Sequence, residues 1–297
     1  MKCQINTHSI KISRKPFTDQ IMLTRCCYKH QEITKLYNIN EVINNNNFID
    51  DVLNSASIMP VNHDYTVYPH FCKTNEKKCD YSSDKINSIE IATTYACNLK
   101  CIMCGYRNFV DNINFLLDKQ LYFHILNNIK NHHLETITLT TEGEPFFYKK
   151  ETLDYLQSLT SNDTKNVFII SNLTLLDEND IYILKNINDK DVKIHIMASI
   201  DAISEETYKK IRKNNNFNKV INNVKLLNAL NLLHSINYVI MPENLYELDF
   251  LYDFYKNINI NSSKINYLVF NGDDTEETRN KINFILNSNE YKRFINL

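Results

Sequence analysis

The sequence predicts an α/β protein built around a parallel sheet. Short β-branched runs recur at 89–94, 136–141, 166–171, 193–200, 234–241 and 264–270. Segments with helical spacing fall between them. The runs are apolar enough to be covered on both faces, which is the signature of parallel strands joined by right-handed crossovers. Six such units make either a doubly wound sheet or a partial barrel, and periodicity alone does not choose between them.

Each element has its own local reason. The stripe Leu121, Ile125, Ile129 predicts a helix after the first run. Val220, Val224 and Leu227 predict one before the fifth run, and Leu248, Leu251 and Tyr255 one after it. Ser204 followed by Glu205 and Glu206 is an N-cap with acids in the first turn. Residues before about 85 lack the alternation, apart from the helix-like, Asn-interrupted "INEVINNNNFIDDVLN". A boundary is expected in "YSSDKINS", giving a small cysteine-containing module over 1–86 and an α/β domain over 87–297.

The 297 residues are 43% hydrophobic, and the net charge of −2 is spread without a basic block, so no nucleic-acid partner is expected. "MKCQINTHSIKISRKPF" lacks a signal-peptide core and no apolar run is long enough for a bilayer, so a cytoplasmic protein without a membrane partner is expected. There thiols stay reduced, and eight cysteines point to metal or redox chemistry. The three glycines, Gly105, Gly143 and Gly272, are expected where a side chain does not fit.

In parallel α/β folds chemistry gathers at the carboxyl ends of strands. The cluster "YACNLKCIMC" follows the first run, "TEGEP" the second, "SNLTLL" the third and "SID" the fourth. Cys97, Cys101 and Cys104 are spaced C-x3-C-x2-C, with neither Cys nor His in the following "GYRNFVDN". Structural zinc and a fully ligated iron–sulfur cubane each take four ligands. Three thiolates leave one iron corner open to a substrate or cofactor.

This spacing after a first strand resembles the radical S-adenosylmethionine (SAM) superfamily, and the resemblance covers roughly residues 88 to 297. It extends to "TTEGEP", with Glu142 where a Gly is common, and to "ISNLTLL", with Leu173 where Gly is usual. "ASIDAISEETYKKIRKNNNFNKVINNVKLL" and "VIMPENLYEL" carry it further. It implies a partial (β/α)6 TIM-like barrel holding a 4Fe–4S cluster on Cys97, Cys101 and Cys104, with SAM chelating the open iron. It also implies reductive SAM cleavage to a 5′-deoxyadenosyl radical, and an electron donor such as flavodoxin or ferredoxin. By resemblance Gly143 and Glu144 meet the SAM amino group, and Ser199 and Asp201 reach its ribose or methionyl part. Arg212 pairs with its carboxylate beside Asn172, while Ile240, Met241 and Met103 line the adenine.

"RKPFTDQIMLTRCC" and the later "HFCKTNEKKC" resemble the SPASM or twitch auxiliary-cluster module, with Ser13 in place of an early cysteine. That implies a second iron–sulfur cluster drawing on Cys26, Cys27, Cys72, Cys79 and Cys3, with zinc or free thiols as alternatives and His30, His63 or His70 as substitute ligands. Cys3, Cys26 or Cys27 could instead donate a hydrogen atom. Modification of a peptide or protein, such as epimerisation or crosslinking, is the leading expectation. A sugar, nucleotide or other small metabolite is the alternative, and a non-catalytic redox sensor a third.

Overall fold

A computed structural model describes residues 9–14, 18–25, 33–56, 86–107, 113–140, 142–269 and 276–295. The chain runs β1 (Ser9–Arg14), β2 (Gln20–Arg25), β3 (Ile33–Asn38), α1 (Ile39–Ile43), α2 (Phe48–Ala56), β4 (Ser88–Ala92), α3 (Phe115–Asn128) and β5 (Leu134–Leu139). It continues through α4 (Lys149–Gln157), β6 (Thr164–Ser171), α5 (Glu178–Asn188), β7 (Lys193–Ser199), α6 (Glu205–Arg212), α7 (Phe217–Ala229) and β8 (Leu233–Ile240). The last elements are α8 (Leu251–Asn257), β9 (Ile265–Val269), α9 (Glu276–Asn287) and α10 (Asn289–Phe294).

The six strands expected from periodicity are β4 to β9, and all are parallel. They form the greater part of one nine-stranded sheet ordered β3-β2-β1-β4-β5-β6-β7-β8-β9. The order starts at β3 and stops at β9, so the barrel is partial and not closed. Alternation along the strands divides the sheet. Ile89, Ile91, Ile137, Leu139, Val167, Ile169, Ile194 and Ile196 share one core with helix residues such as Leu121, Ile125 and Leu184. Each such side chain contributes about 1.5–3 kcal/mol over its exposed state. Glu90, Thr138, Phe168, His195, Met197 and Ser199 alternate with them and are only half-buried. The inner face is therefore mixed and partly open, where the sequence reading expects both faces covered.

The front of the chain is more closely joined to this frame than its composition predicts. β1 pairs with β4 in parallel, Ile10 opposite Ile89 and Ile12 opposite Ile91, and an antiparallel β2–β3 pair extends the sheet edge. Ile10, Ile12, Ile21, Leu23, Val42, Phe48 and Val52 belong to the same core as the parallel strands. Arg25, the residue before Cys26, pairs with Ile10 at the end of β1 away from the loop that follows β4. Cys3, Cys26, Cys27, Cys72, Cys79, His30, His63, His70 and Gly272 lie outside the described residues. Among the described residues no helix is long and apolar enough to cross a membrane.

Candidate functional site

The loop leaving β4 carries the clustered cysteines and is fastened along its length. At its start, the buried Asp118 in the first turn of α3 accepts from Thr94 Oγ1, from the Tyr95 amide at 3.2 Å and from the Tyr148 hydroxyl at 3.0 Å. Arg14 of β1 stands 3.5 Å from the same carboxylate. Burial pushes the Asp118 carboxyl above the usual range, against the pull of these donors. Further along, Asn98 donates to Thr174 Oγ1 at 2.8 Å and accepts from Asn172 Nδ2 at 3.2 Å, tying the loop to the end of β6. The Ile102 amide donates to the Ile211 carbonyl of α6 at 2.9 Å.

Gly143 and Glu144 hold the loop from the β5 side. A Cβ on Gly143 would lie 2.2 Å from the Ala96 carbonyl oxygen and 2.7 Å from the Tyr95 carbonyl carbon. The position thus needs glycine because two backbones touch, a reason internal to the protein. The Glu144 amide donates to that same Ala96 oxygen at 2.8 Å. Gly105 departs from expectation, since a Cβ there meets nothing within 4 Å.

Glu144 is 2% exposed, and both of its oxygens are engaged. Oε1 accepts from the Phe146 amide at 3.1 Å and Ser171 Oγ at 2.8 Å, and Oε2 from the Asn172 amide at 2.8 Å. It therefore caps the helical turn Pro145–Tyr148 and anchors the end of β6 together. Burial raises its pKa, opposed by the three donors. Asn172 Oδ1 accepts from the Thr174 amide at 2.9 Å, closing a small turn.

That turn explains why glycine suits the next position. Leu173 has φ 61°, in the left-handed region, and its side chain is buried in the core. Substituting Gly relieves strain of about 1–2 kcal/mol. It also deletes a buried side chain worth about 2–5 kcal/mol, so packing wins. L173G is expected to be destabilised by about 1–3 kcal/mol in urea unfolding, and a midpoint at or above the parent's would show that strain dominates.

Across the sheet, Asp201 and Arg212 form a buried ion pair. Arg212 Nη2 lies 2.5 Å from Asp201 Oδ2, and Nη1 donates to the Cys101 sulfur at 3.8 Å. Asp201 Oδ1 accepts from the Val239 amide at 2.7 Å, and the Asp201 carbonyl accepts from Asn244 Nδ2 at 3.0 Å. Burial pushes the Asp201 carboxyl up and Arg212 pulls it back. Arg212 Nε is buried without a hydrogen-bond partner among the described residues. Ser199 ends β7 on the half-buried inner face, and Ser204, not Asp201, caps α6 by accepting from the Thr207 amide at 3.3 Å.

The three thiols are free, with Cys101 buried and Cys97 and Cys104 half-buried. Burial pushes the Cys97 thiol up to about 12, with the Leu99 amide pulling the other way. Among the described residues no three His, Cys, Asp or Glu side chains converge on one point that a single ion could occupy. Beside the loop a cavity of about 300 Å³ is lined by Met103, Met241, Ile102 and the cations Arg107, Lys210, Lys213 and Lys281. Met103 and Met241 are thus brought to one cavity, whereas Ile240 is fully buried in the core.

Several residues that organise the site carry no sequence signal of their own. Asp118 reads as an ordinary first-turn acid of a helix. Asn223 reads as a polar helix residue, yet its Nδ2 donates to the carbonyls of Leu173 and Leu176, each at 3.0 Å. Glu247 accepts from the Ile203 amide at 2.9 Å, Ser204 Oγ at 2.6 Å and the Tyr238 hydroxyl at 3.1 Å.

Comparisons with known proteins give the chain a family. An uncharacterized protein of Methanocaldococcus jannaschii is 32% identical over 152 residues, covering 50% of this chain and 45% of that protein. A protein of the same organism named "Probable GTP 3′,8-cyclase" is 23% identical over 59% of this chain and 56% of its own. One of that name from Saccharolobus islandicus is 25% identical over 59% and 55%. The chain thus spans about half the length of these curated relatives. Among solved structures, native anSMEcpe with bound AdoMet superposes with a TM-score of 0.49 at 17% identity, over 70% of this chain and 62% of that one. The family model for the radical SAM superfamily matches residues 91–255, more than half of the chain. The chain belongs to the radical SAM superfamily.

Proposed function

We propose that this radical SAM enzyme holds a 4Fe–4S cluster on Cys97, Cys101 and Cys104 and uses SAM to abstract hydrogen from an organic substrate. When bound, such a cluster supplies the electron that splits SAM into methionine and a 5′-deoxyadenosyl radical. The observation that carries the reading is one tightly fastened loop presenting three free thiols, with a buried guanidinium at the middle one. The residues fit the group. A cubane places its iron corners apart, one per thiolate, so the sulfurs need not converge as they must on zinc.

The chain's part is to bind and orient. Arg212 Nε, a buried donor without a hydrogen-bond partner among the described residues, suits the SAM carboxylate. A carboxylate has about four lone-pair sites, and three on Glu144 are taken, which leaves one for the SAM amino group. Met103 and Met241 offer soft apolar surface for the adenine within their shared cavity. Asn172 and Ser199, at neighbouring strand ends, complete the polar rim.

Two substrate classes rest on different observations. The resemblance of the region around Cys26, Cys27, Cys72 and Cys79 to an auxiliary-cluster module supports a second iron–sulfur cluster and a peptide or protein substrate. The relatives named for GTP cyclisation support a nucleotide or another small molecule. Oxygen-free protein reconstituted with iron and sulfide, then given SAM and dithionite, is expected to release 5′-deoxyadenosine. Adding GTP or candidate peptides should raise that rate for one class only. Protein that binds the cluster yet releases no 5′-deoxyadenosine under any condition would support the redox-sensor alternative.

A further inference from the structure

Helix α6 ends on Arg212, whose guanidinium divides its nitrogens between two partners. Nη2 meets Asp201 at 2.5 Å, and Nη1 donates to the Cys101 sulfur at 3.8 Å. The guanidinium therefore stands between a carboxylate and a sulfur. It is also held there. Asp201 is fully buried at φ 61°, bonded to the Val239 amide and to Asn244, while Ile211 next door accepts from the loop's Ile102 amide. Swinging Arg212 off the sulfur would disturb a buried ion pair, leaving a carboxylate and a guanidinium buried without each other.

A fixed cation on a ligand sulfur favours added negative charge there. Hydrogen bonds and charge at the sulfurs are among the influences that set an iron–sulfur potential. We infer that the Asp201–Arg212 pair sets the reduction potential of the cluster that Cys101 helps to hold, Arg212 raising it and Asp201 moderating that effect. Arg212 is then a positioning and tuning residue for electron uptake, separately from any contact with SAM. The inference rests on the proposed function, because it requires that cluster.

The test uses oxygen-free, reconstituted full chains of the parent, R212Q, R212K and D201N. Each is assayed for iron and sulfide and then titrated by EPR without SAM. R212Q is expected to titrate more negative. At the parent's midpoint its reduced-to-oxidised ratio should fall about tenfold, which is about 59 mV for a one-electron couple. D201N is expected to move the opposite way, and R212K to lie between R212Q and the parent. Opposite signs separate tuning from general loosening of the loop, which would move both variants alike. Shifts of the same sign, or parent-like midpoints at parent-like iron content, overturn the inference and leave the proposed function standing. If R212Q holds no iron, R212K and D201N decide by the same signs. A parent that takes up no iron overturns both.

Discussion

Replacing Gly143 with alanine is expected to destabilise the protein by about 2–4 kcal/mol and to strip most of the iron from its cysteine loop. The added methyl carbon would fall 2.2 Å from a carbonyl oxygen, and the atoms it meets belong to the backbone of Tyr95 and Ala96. No rotamer change relieves such a clash, so one of the two chains must shift. The shift also breaks the 2.8 Å bond from the Glu144 amide to Ala96. Ala96 directly precedes Cys97, so the displacement reaches a proposed cluster ligand at once. Gly105 provides the control, since it lies in the same loop with open space around its Cα. G105A is expected to be neutral or up to about 1 kcal/mol more stable, by restricting the unfolded chain. Urea midpoints and iron per chain, measured on both variants, check the contrast. G143A with the parent's midpoint and iron content would show that the two backbones do not meet as described.

The parallel strands were legible because burial writes itself into composition. Ile89 and Ile91, Val167 and Ile169, and Ile194 and Ile196 sit two apart and face the helices. The front strands were not legible, for a physical reason. β1 has two buried apolar residues, Ile10 and Ile12, with Lys11 between them, Ser13 and Arg14 after them and cysteine-bearing polar sequence around. A pattern that short does not distinguish a strand from a loop. The cysteines and "GEP" were found by their spacing, but the reason for Gly143 was not, because sequence cannot say whether close approach is to a ligand or to the chain itself. Asp118, Asn223 and Glu247 were missed altogether. Each is a single polar residue whose partners lie far away along the chain, and only the folded sheet brings them together.

Glutamine at position 144 is expected to cost about 2–4 kcal/mol although it keeps the shape of glutamate. The Phe146 amide points at one carboxylate oxygen and the Asn172 amide at the other. A glutamine has one oxygen, so either orientation of its amide sets an NH2 group against a buried backbone N–H. The Ser171 hydroxyl can rotate to accept instead, but the two backbone donors cannot. E144Q should therefore be no better than E144A, which leaves both donors unsatisfied but imposes no repulsion. The comparison also reports the charge on the group. Burial raises the Glu144 pKa, so the folded protein holds the proton to higher pH than the unfolded chain does. That contribution is fully present below the ordinary carboxylate range and is lost as pH rises through the raised value. The parent's stability should decline across that window, and E144Q should lack the decline. If the carboxyl were instead protonated at neutral pH, it would already carry a donor of its own, and glutamine would imitate it closely. Urea unfolding of E144Q within about 0.5 kcal/mol of the parent at pH 7 would establish that protonated state and remove the ionised acceptor on which the proposed contact with the SAM amino group depends.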